Sequence, residues 1–153
     1  MKTVDRFLAF DLGAESGRAV VGTLAGGRLA LEQTARFPNR PLRLRGRLHW
    51  NLPRLYEEML RALGSAGPLS SLAVDAWGVD FVLLARDGSL LGLPFAYRDP
   101  RTDGAPEELF ERMPRREVYG RTGIQGLPFN TLYQLYVMAR ESSSSEENTS
   151  ETQ

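Results

Sequence analysis

Phe7-Leu8-Ala9-Phe10-Asp11-Leu12-Gly13-Ala14-Glu15-Ser16-Gly17-Arg18-Ala19-Val20-Val21-Gly22-Thr23-Leu24 sets one apolar strand before a short turn of glycine, acid and hydroxyl, and a second apolar strand after it. Two glycines flank small and polar residues, so backbone N–H groups of the bend can converge on an anion without interference from Cβ atoms, and Arg18 can add a forked cation. Asp11, at the strand end, is placed to hold Mg²⁺ through water. A P-loop needs Gly-Lys-Ser/Thr running into a helix, and a dinucleotide fold needs Gly-x-Gly-x-x-Gly running into a helix; neither pattern is present, and the residues after this turn are β-prone. The same residues also fit an ordinary tight hairpin with an acid at its mouth.

Working outward, Leu29 to Thr34 supplies a third strand after the Gly26-Gly27 turn, which makes an antiparallel meander. Residues 36–47 mix Pro38, Pro41 and Gly46 with five arginines and read as a surface loop, either solvated or a binding patch. His49 beside Trp50 reads as a packing or surface histidine ahead of a catalytic one. Asn51 can cap a helix with Pro53 in its first turn, and Leu52, Leu55, Tyr56, Met59, Leu60 and Leu63 recur at helical spacing before Gly64 stops it. Leu72-Ala73-Val74 is a strand running into Asp75-Ala76-Trp77-Gly78-Val79-Asp80. Phe81 to Leu84 reads as another strand, turning at Asp87-Gly88. A helix between strands of this kind implies a covered α/β sheet. Further on, Phe95 to Thr102 is a loop dense in hydrogen-bonding side chains. Helices are expected near Ala105 to Met113 and Arg115 to Tyr119. Asn130 caps a last one with Leu132, Leu135, Tyr136 and Ala139 as its apolar stripe. Residues 141–153 contain no apolar residue, and the expectation there is a disordered low-complexity tail. There is no internal repeat.

The 153 residues, 42% of them hydrophobic, suit one domain. Nineteen basic side chains balance nineteen acidic ones over the whole chain, but residues 1–140 hold all nineteen cations against fifteen carboxylates, a mild excess that is no nucleic-acid footprint. With no cysteine and one histidine, a disulfide framework and a Cys or His zinc site are excluded, leaving Mg²⁺ through carboxylates. No apolar run reaches the roughly 18 residues of a membrane span, so the expectation is a soluble, cytoplasmic protein with no membrane partner.

Four blocks in order carry a resemblance: Asp11 to Arg18; Asp75-Ala76-Trp77-Gly78-Val79-Asp80-Phe81-Val82-Leu83-Leu84; Ala96-Tyr97-Arg98-Asp99; and Gly123-Ile124-Gln125-Gly126-Leu127-Pro128-Phe129-Asn130-Thr131-Leu132-Tyr133-Gln134-Leu135. Together they resemble the amino-terminal part of the rhamnulokinase branch of the FGGY carbohydrate kinase family. The first block recurs loosely through the actin-like superfamily, while the Trp-Gly-Val-Asp-Phe and Pro-Phe-Asn-Thr-Leu-Tyr-Gln blocks carry the narrower assignment. The resemblance implies a ribonuclease H-like first lobe, incomplete, with a mixed sheet and flanking helices over residues 1–140. It implies ATP phosphates at Ala14, Glu15, Ser16, Gly17 and Arg18, and Asp11 facing Mg²⁺. Gly78 would touch the ketose, opposite the phosphate bend and between strands that a side chain would hold apart, with Trp77, Tyr97 and Phe129 as pocket walls. Trp77 as a plain core aromatic remains open. So do Asp75 and Asp80 as sugar acceptors or turn caps, and an Arg98–Asp99 pair against substrate contact.

The implied activity is transfer of the ATP γ-phosphate to L-rhamnulose or a similar ketose. The family's catalytic aspartate, second phosphate segment and adenine region have no counterpart in these residues, so no catalytic base is expected in the chain, which on this reading is a truncated, inactive fragment. The alternative is a non-catalytic sugar- or nucleotide-binding module or interaction fragment, with apolar surface exposed at Val74, Val82 and Leu132.

Overall fold

The computed structural model describes residues 4–150, with the side chains of residues 4–142. Three strands form the expected meander: β1 (Asp5–Leu12), β2 (Ser16–Ala25) and β3 (Arg28–Pro38). Gly26 and Gly27 both adopt positive φ, 57° and 76°, which is what a tight turn between right-twisted strands demands. A small hairpin of β4 (Leu42–Leu44) and β5 (Arg47–His49) then interrupts what reads in the sequence as loop. Helix α1 (Leu52–Ser65) returns the chain to β6 (Ser71–Asp75), which pairs with β1 in parallel and completes a mixed sheet of order β3-β2-β1-β6.

Period-two alternation decides the core. Leu8, Phe10 and Leu12 of β1, Ala19 and Val21 of β2 and Phe37 of β3 are buried on one face, under Leu55, Ala62 and Ala66. The register sets Phe10 opposite Ala19 and Leu12 opposite Gly17. A Cβ on Gly17 would sit 2.2 Å from the Phe37 ring, so glycine is required there by packing, at an ordinary negative φ. The spacing of α1 is correct but its edges shift. Asn51 Oδ1 accepts from the Arg54 amide at 3.2 Å as the cap, whereas Gly64 lies inside the last turn and the left-handed glycine that comes after the helix is Gly67. Tyr56 and Leu60 face outward.

Beyond β6 the chain has less regular structure than expected. The Asp87-Gly88 turn forms, with Gly88 at φ 83° and the Asp87 carboxylate accepting from the Ser89 amide at 2.9 Å. Its flanks make only a Leu84–Leu90 bridge instead of strands, because Leu83, Leu84, Leu90 and Leu91 are all exposed and two such segments alone are marginal. A 3₁₀ turn (Pro100–Thr102) leads to α2 (Ala105–Arg112), α3 (Arg115–Thr122) and α4 (Thr131–Ser150). The apolar stripe expected on α4 is displaced: Tyr133, Gln134 and Val137 are buried, while Leu132 and Leu135 are exposed. Ala105 with Tyr133 and Val137 forms a second, small core. The backbone of α4 runs through residues 141–150 of the tail expected to be disordered, and residues 151–153 of that expectation lie outside the described residues.

Val74, Val82 and Leu132 are exposed as anticipated. Leu72 and Val74 stand in register with Leu8 and Phe10, on the core face, yet are 50% and 49% accessible. Among the described residues no helix is long and apolar enough to cross a membrane.

Substituting Gly17→Ala forces the Phe37 ring to move and is expected to destabilise the fold by about 1–3 kcal/mol. Adding Phe37→Leu should recover part of that loss; a double-mutant cycle by chemical denaturation that finds the two changes additive would contradict the packing argument.

Candidate functional site

The bend joining β1 to β2 is closed by the Gly13 amide on the Ser16 carbonyl at 3.0 Å. Asn39, 2% accessible, reaches it from the end of β3, donating Nδ2 to the Gly13 carbonyl at 2.8 Å and its own backbone N–H to the Glu15 carbonyl at 2.9 Å. The Ala14 and Glu15 amides have no protein acceptor among the described residues. Ala14, Glu15 and Ser16 line a cleft of about 680 Å³ together with Arg36, Arg40 and Arg98. Three guanidinium groups around two undirected amides suit an anion.

Gly17 and Arg18 do not line that cleft. Gly17 is buried beneath Phe37, and Arg18 pairs with Asp11 on the sheet face away from the core. That pair belongs to a row of charges fixed by register, Arg36, Arg18, Asp11 and Asp75 on neighbouring strands β3, β2, β1 and β6. Among the described residues no group of three or more acidic or histidine side chains could cage a metal.

The aromatic residues named from the motif blocks converge, joined by Trp50. Tyr97 and Phe129 rings lie 5.6 Å apart, and Trp77 packs 4.3 Å from Trp50, which in turn lies 6.3 Å from Tyr97. The Asp80 carboxylate holds this group in place. Its Oδ2 accepts from Trp50 Nε1 at 2.5 Å, Trp77 Nε1 at 2.8 Å and the Tyr97 amide at 3.1 Å, while Oδ1 accepts from Gln134 Nε2 at 2.8 Å. Four protein donors engage Asp80, three of them on Oδ2, so in this structure the carboxylate ties the wall together. Gln134 in turn accepts from Arg101 Nη2 at 2.8 Å. Burial pulls the pKa of the Arg101 guanidinium below its ordinary value, and Asp99 opposes that shift.

Arg98 and Asp99 do not pair with each other. Asp99 is buried, accepts from the Leu48 amide at 2.6 Å and lies 3.6 Å from Arg47; Arg98 donates to the Tyr97 hydroxyl at 3.2 Å and stands 3.9 Å from Glu15. Arg98 therefore spans from the bend to the aromatic wall. Gly78 is exposed, and a Cβ there meets nothing within 4 Å, so no strand crowds it and the protein's own packing does not require glycine. It lines a separate cavity of about 130 Å³ with Val79, Val118, Ile124 and Tyr133, so the bend and Gly78 do not share the cavity expected of them.

No family model matches the chain. Rhamnulokinase from Bacteroides thetaiotaomicron is 47% identical over 138 residues, 88% of this chain and 28% of that protein. Rhamnulokinase from Oceanobacillus iheyensis is 43% identical over 136 residues, 86% of this chain and 29% of that protein. Over most of its length the chain is similar to part of these rhamnulokinases. It spans under a third of the length of these curated relatives. A crystal structure of gluconate kinase from Lactobacillus acidophilus superposes with a TM-score of 0.75 at 12% identity, over 92% of this chain and 29% of the other. That likeness carries the fold, a mixed sheet with flanking helices as in sugar kinases.

Sequence reading missed three residues that organise the site: Asn39, Trp50 and Gln134. Trp50 stands next to His49, whose Nδ1 lies 3.1 Å from the Leu93 carbonyl and whose ring stacks on Phe95, so the histidine packs. Nothing local marks Asn39, whose partner is 26 residues away; Gln134 closes the Pro-Phe-Asn-Thr-Leu-Tyr-Gln block, but its partner Asp80 is 54 residues away. Asp80→Ala strands two indole N–H groups and the Tyr97 amide, and a loss of about 2–4 kcal/mol is expected. Asp80→Asn should rescue only part of it, since a carbonyl oxygen in the Oδ2 place keeps three donors while the amide nitrogen faces Gln134 Nε2. Thermal unfolding of the two variants checks both statements, and an unchanged midpoint for either would contradict the hub.

Proposed function

We propose that this chain carries the phosphate-binding and part of the ketose-binding surface of a cytoplasmic, ATP-dependent sugar kinase, and that the whole protein transfers the ATP γ-phosphate to L-rhamnulose or a closely similar ketose. The observation that carries this reading is the bend at Ala14, Glu15 and Ser16, whose undirected amides open on an arginine-lined cleft in a segment of rhamnulokinase sequence. ATP would supply the phosphoryl group. The bend amides would hold its phosphates, with Gly17 acting through backbone and support and Arg18 as a nearby cation. Asp11 would face Mg²⁺ through water, which suits a lone carboxylate because Mg²⁺ keeps much of its hydration shell. Gly78 would touch the ketose, and Trp77, Tyr97 and Phe129, which do not line the Gly78 cavity, would approach it from the neighbouring aromatic cluster.

A general base for the sugar hydroxyl is not identified among the described residues at either cavity, and phosphoryl transfer depends on donor, metal and nucleophile being positioned together. The 153-residue chain is therefore expected to bind without turning over. Titration calorimetry with MgATP and with L-rhamnulose, alongside a coupled phosphorylation assay, tests this. Binding of neither ligand removes the reading, and turnover by the chain alone removes the claim about the base.

The exposed Leu72, Val74 and Val82 favour a second reading, a non-catalytic module that associates through this apolar surface. Sedimentation of the isolated chain as a monomer that binds neither ligand would eliminate it.

Because a Cβ at Gly78 enters open space at a φ outside the left-handed region, Gly78→Val is expected to leave stability within about 0.5 kcal/mol of the parent. Ketose affinity should nevertheless drop by about tenfold or more, roughly 1.4 kcal/mol. Equal ketose affinity in the two proteins would remove Gly78 from the site.

A further inference from the structure

A peptide bend can offer an anion either its N–H groups or its carbonyl oxygens, and only the first attract it. Between β1 and β2 that choice is made by a residue outside the bend. Asn39 takes the Gly13 carbonyl with its side chain at 2.8 Å and the Glu15 carbonyl with its backbone at 2.9 Å. In a trans peptide the C=O and N–H of one unit point in opposite directions, so holding the Gly13 carbonyl towards Asn39 turns the Ala14 N–H away from it. The Ala14 and Glu15 amides are the ones with no protein acceptor among the described residues.

Asn39 is itself almost completely buried, at the end of β3 and one residue past Pro38. Its side chain has one rigid role available there. Neither Gly13 nor Gly17 has positive φ, so the bend is not locked by unusual backbone angles. Its shape depends on what grips it.

We propose that Asn39 is the positioning residue of the anion seat, fixing the Gly13 carbonyl inward so that the Ala14 amide of the same peptide faces a bound phosphate. This rests on the reading of the bend as a phosphate site. Asn39 touches no substrate atom in this role and acts through the Gly13–Ser16 backbone.

The test uses the 153-residue chain with inorganic triphosphate and Mg²⁺ as the probe, L-rhamnulose as a control ligand, and amide hydrogen exchange as a structural readout. Asn39→Leu keeps the bulk and the backbone bond to Glu15 but removes the donor; Asn39→Ala is the second variant should leucine not be accommodated. The expected result is a dissociation constant for triphosphate raised about tenfold, as for loss of one hydrogen bond that orders the site. L-rhamnulose binding should be unchanged, and exchange should quicken at Gly13, whose amide is bonded to the Ser16 carbonyl, while the β1–β2 ladder amides from Leu8 to Phe10 stay protected. Equal triphosphate affinity in variant and parent overturns the proposal. So does loss of ladder protection in both variants, since Asn39 would then be a folding residue only. Failure of the parent chain to bind triphosphate shows up before any substitution is made and removes the phosphate reading itself.

Discussion

A single carboxylate ties together the half of the chain that has no sheet of its own. Asp80 gathers donors from Trp50, Trp77, Tyr97 and Gln134, four points that span the β5–α1 junction, the turn after β6, the loop before the 3₁₀ turn and the first turns of α4. Past β6 the described residues form two short helices, the longer α4, isolated bridges at Leu84–Leu90 and His49–Phe95 and a small apolar cluster, which bury too little to fix the loops by themselves. A carboxylate with four donors does so instead, because the two indole N–H groups and the Tyr97 amide would lose their acceptor if it moved. The aromatic wall thus owes its geometry to a polar contact. Arg101 extends the same network to Asp99 and so to β5.

The sheet half is organised by a different constraint, the absence of a side chain at Gly17. Phe37 fills that space and seals the edge of the core where the bend begins. One residue beyond Pro38, Asn39 turns back to hold the bend itself. Packing and polarity therefore meet at one strand end: Phe37 fixes where β3 runs, and this places Asn39 within reach of a carbonyl 26 residues earlier in the chain.

Charge and shape are distributed unevenly between the two cavities. The cleft at the bend is arginine-rich, and the smaller cavity at Gly78 is lined mainly by aliphatic and aromatic side chains. Arg98 is the physical connection, with its guanidinium between Glu15 and the Tyr97 hydroxyl. The core face, meanwhile, is covered by α1 over β2 and β3 but left open at β6, where Leu72 and Val74 keep half their surface in water. Unpaired strand edges with exposed aliphatic residues favour association, which makes β6 the most adhesive element described.

Sequence alone determined the meander, the Gly26-Gly27 turn, the capped helix after Asn51 and the return strand, because each is written in local periodicity and in residues whose backbone preferences act over a few positions. It also named Tyr97 and Phe129, whose rings meet, but not Trp50, through which Trp77 joins them. It misjudged the flanks of the Asp87-Gly88 turn and the buried side of α4, since a pattern of apolar residues does not say whether a neighbour exists to cover them. Only the tertiary structure decided that Gly17 serves packing, that Arg18 goes to Asp11, that Asp99 prefers Arg47 to Arg98, and that Asn39 and Asp80 organise the two halves of the site. The physical reason is that a hydrogen-bond acceptor has no sequence periodicity: its partners are chosen by which segments the sheet and helices happen to bring within about 3 Å.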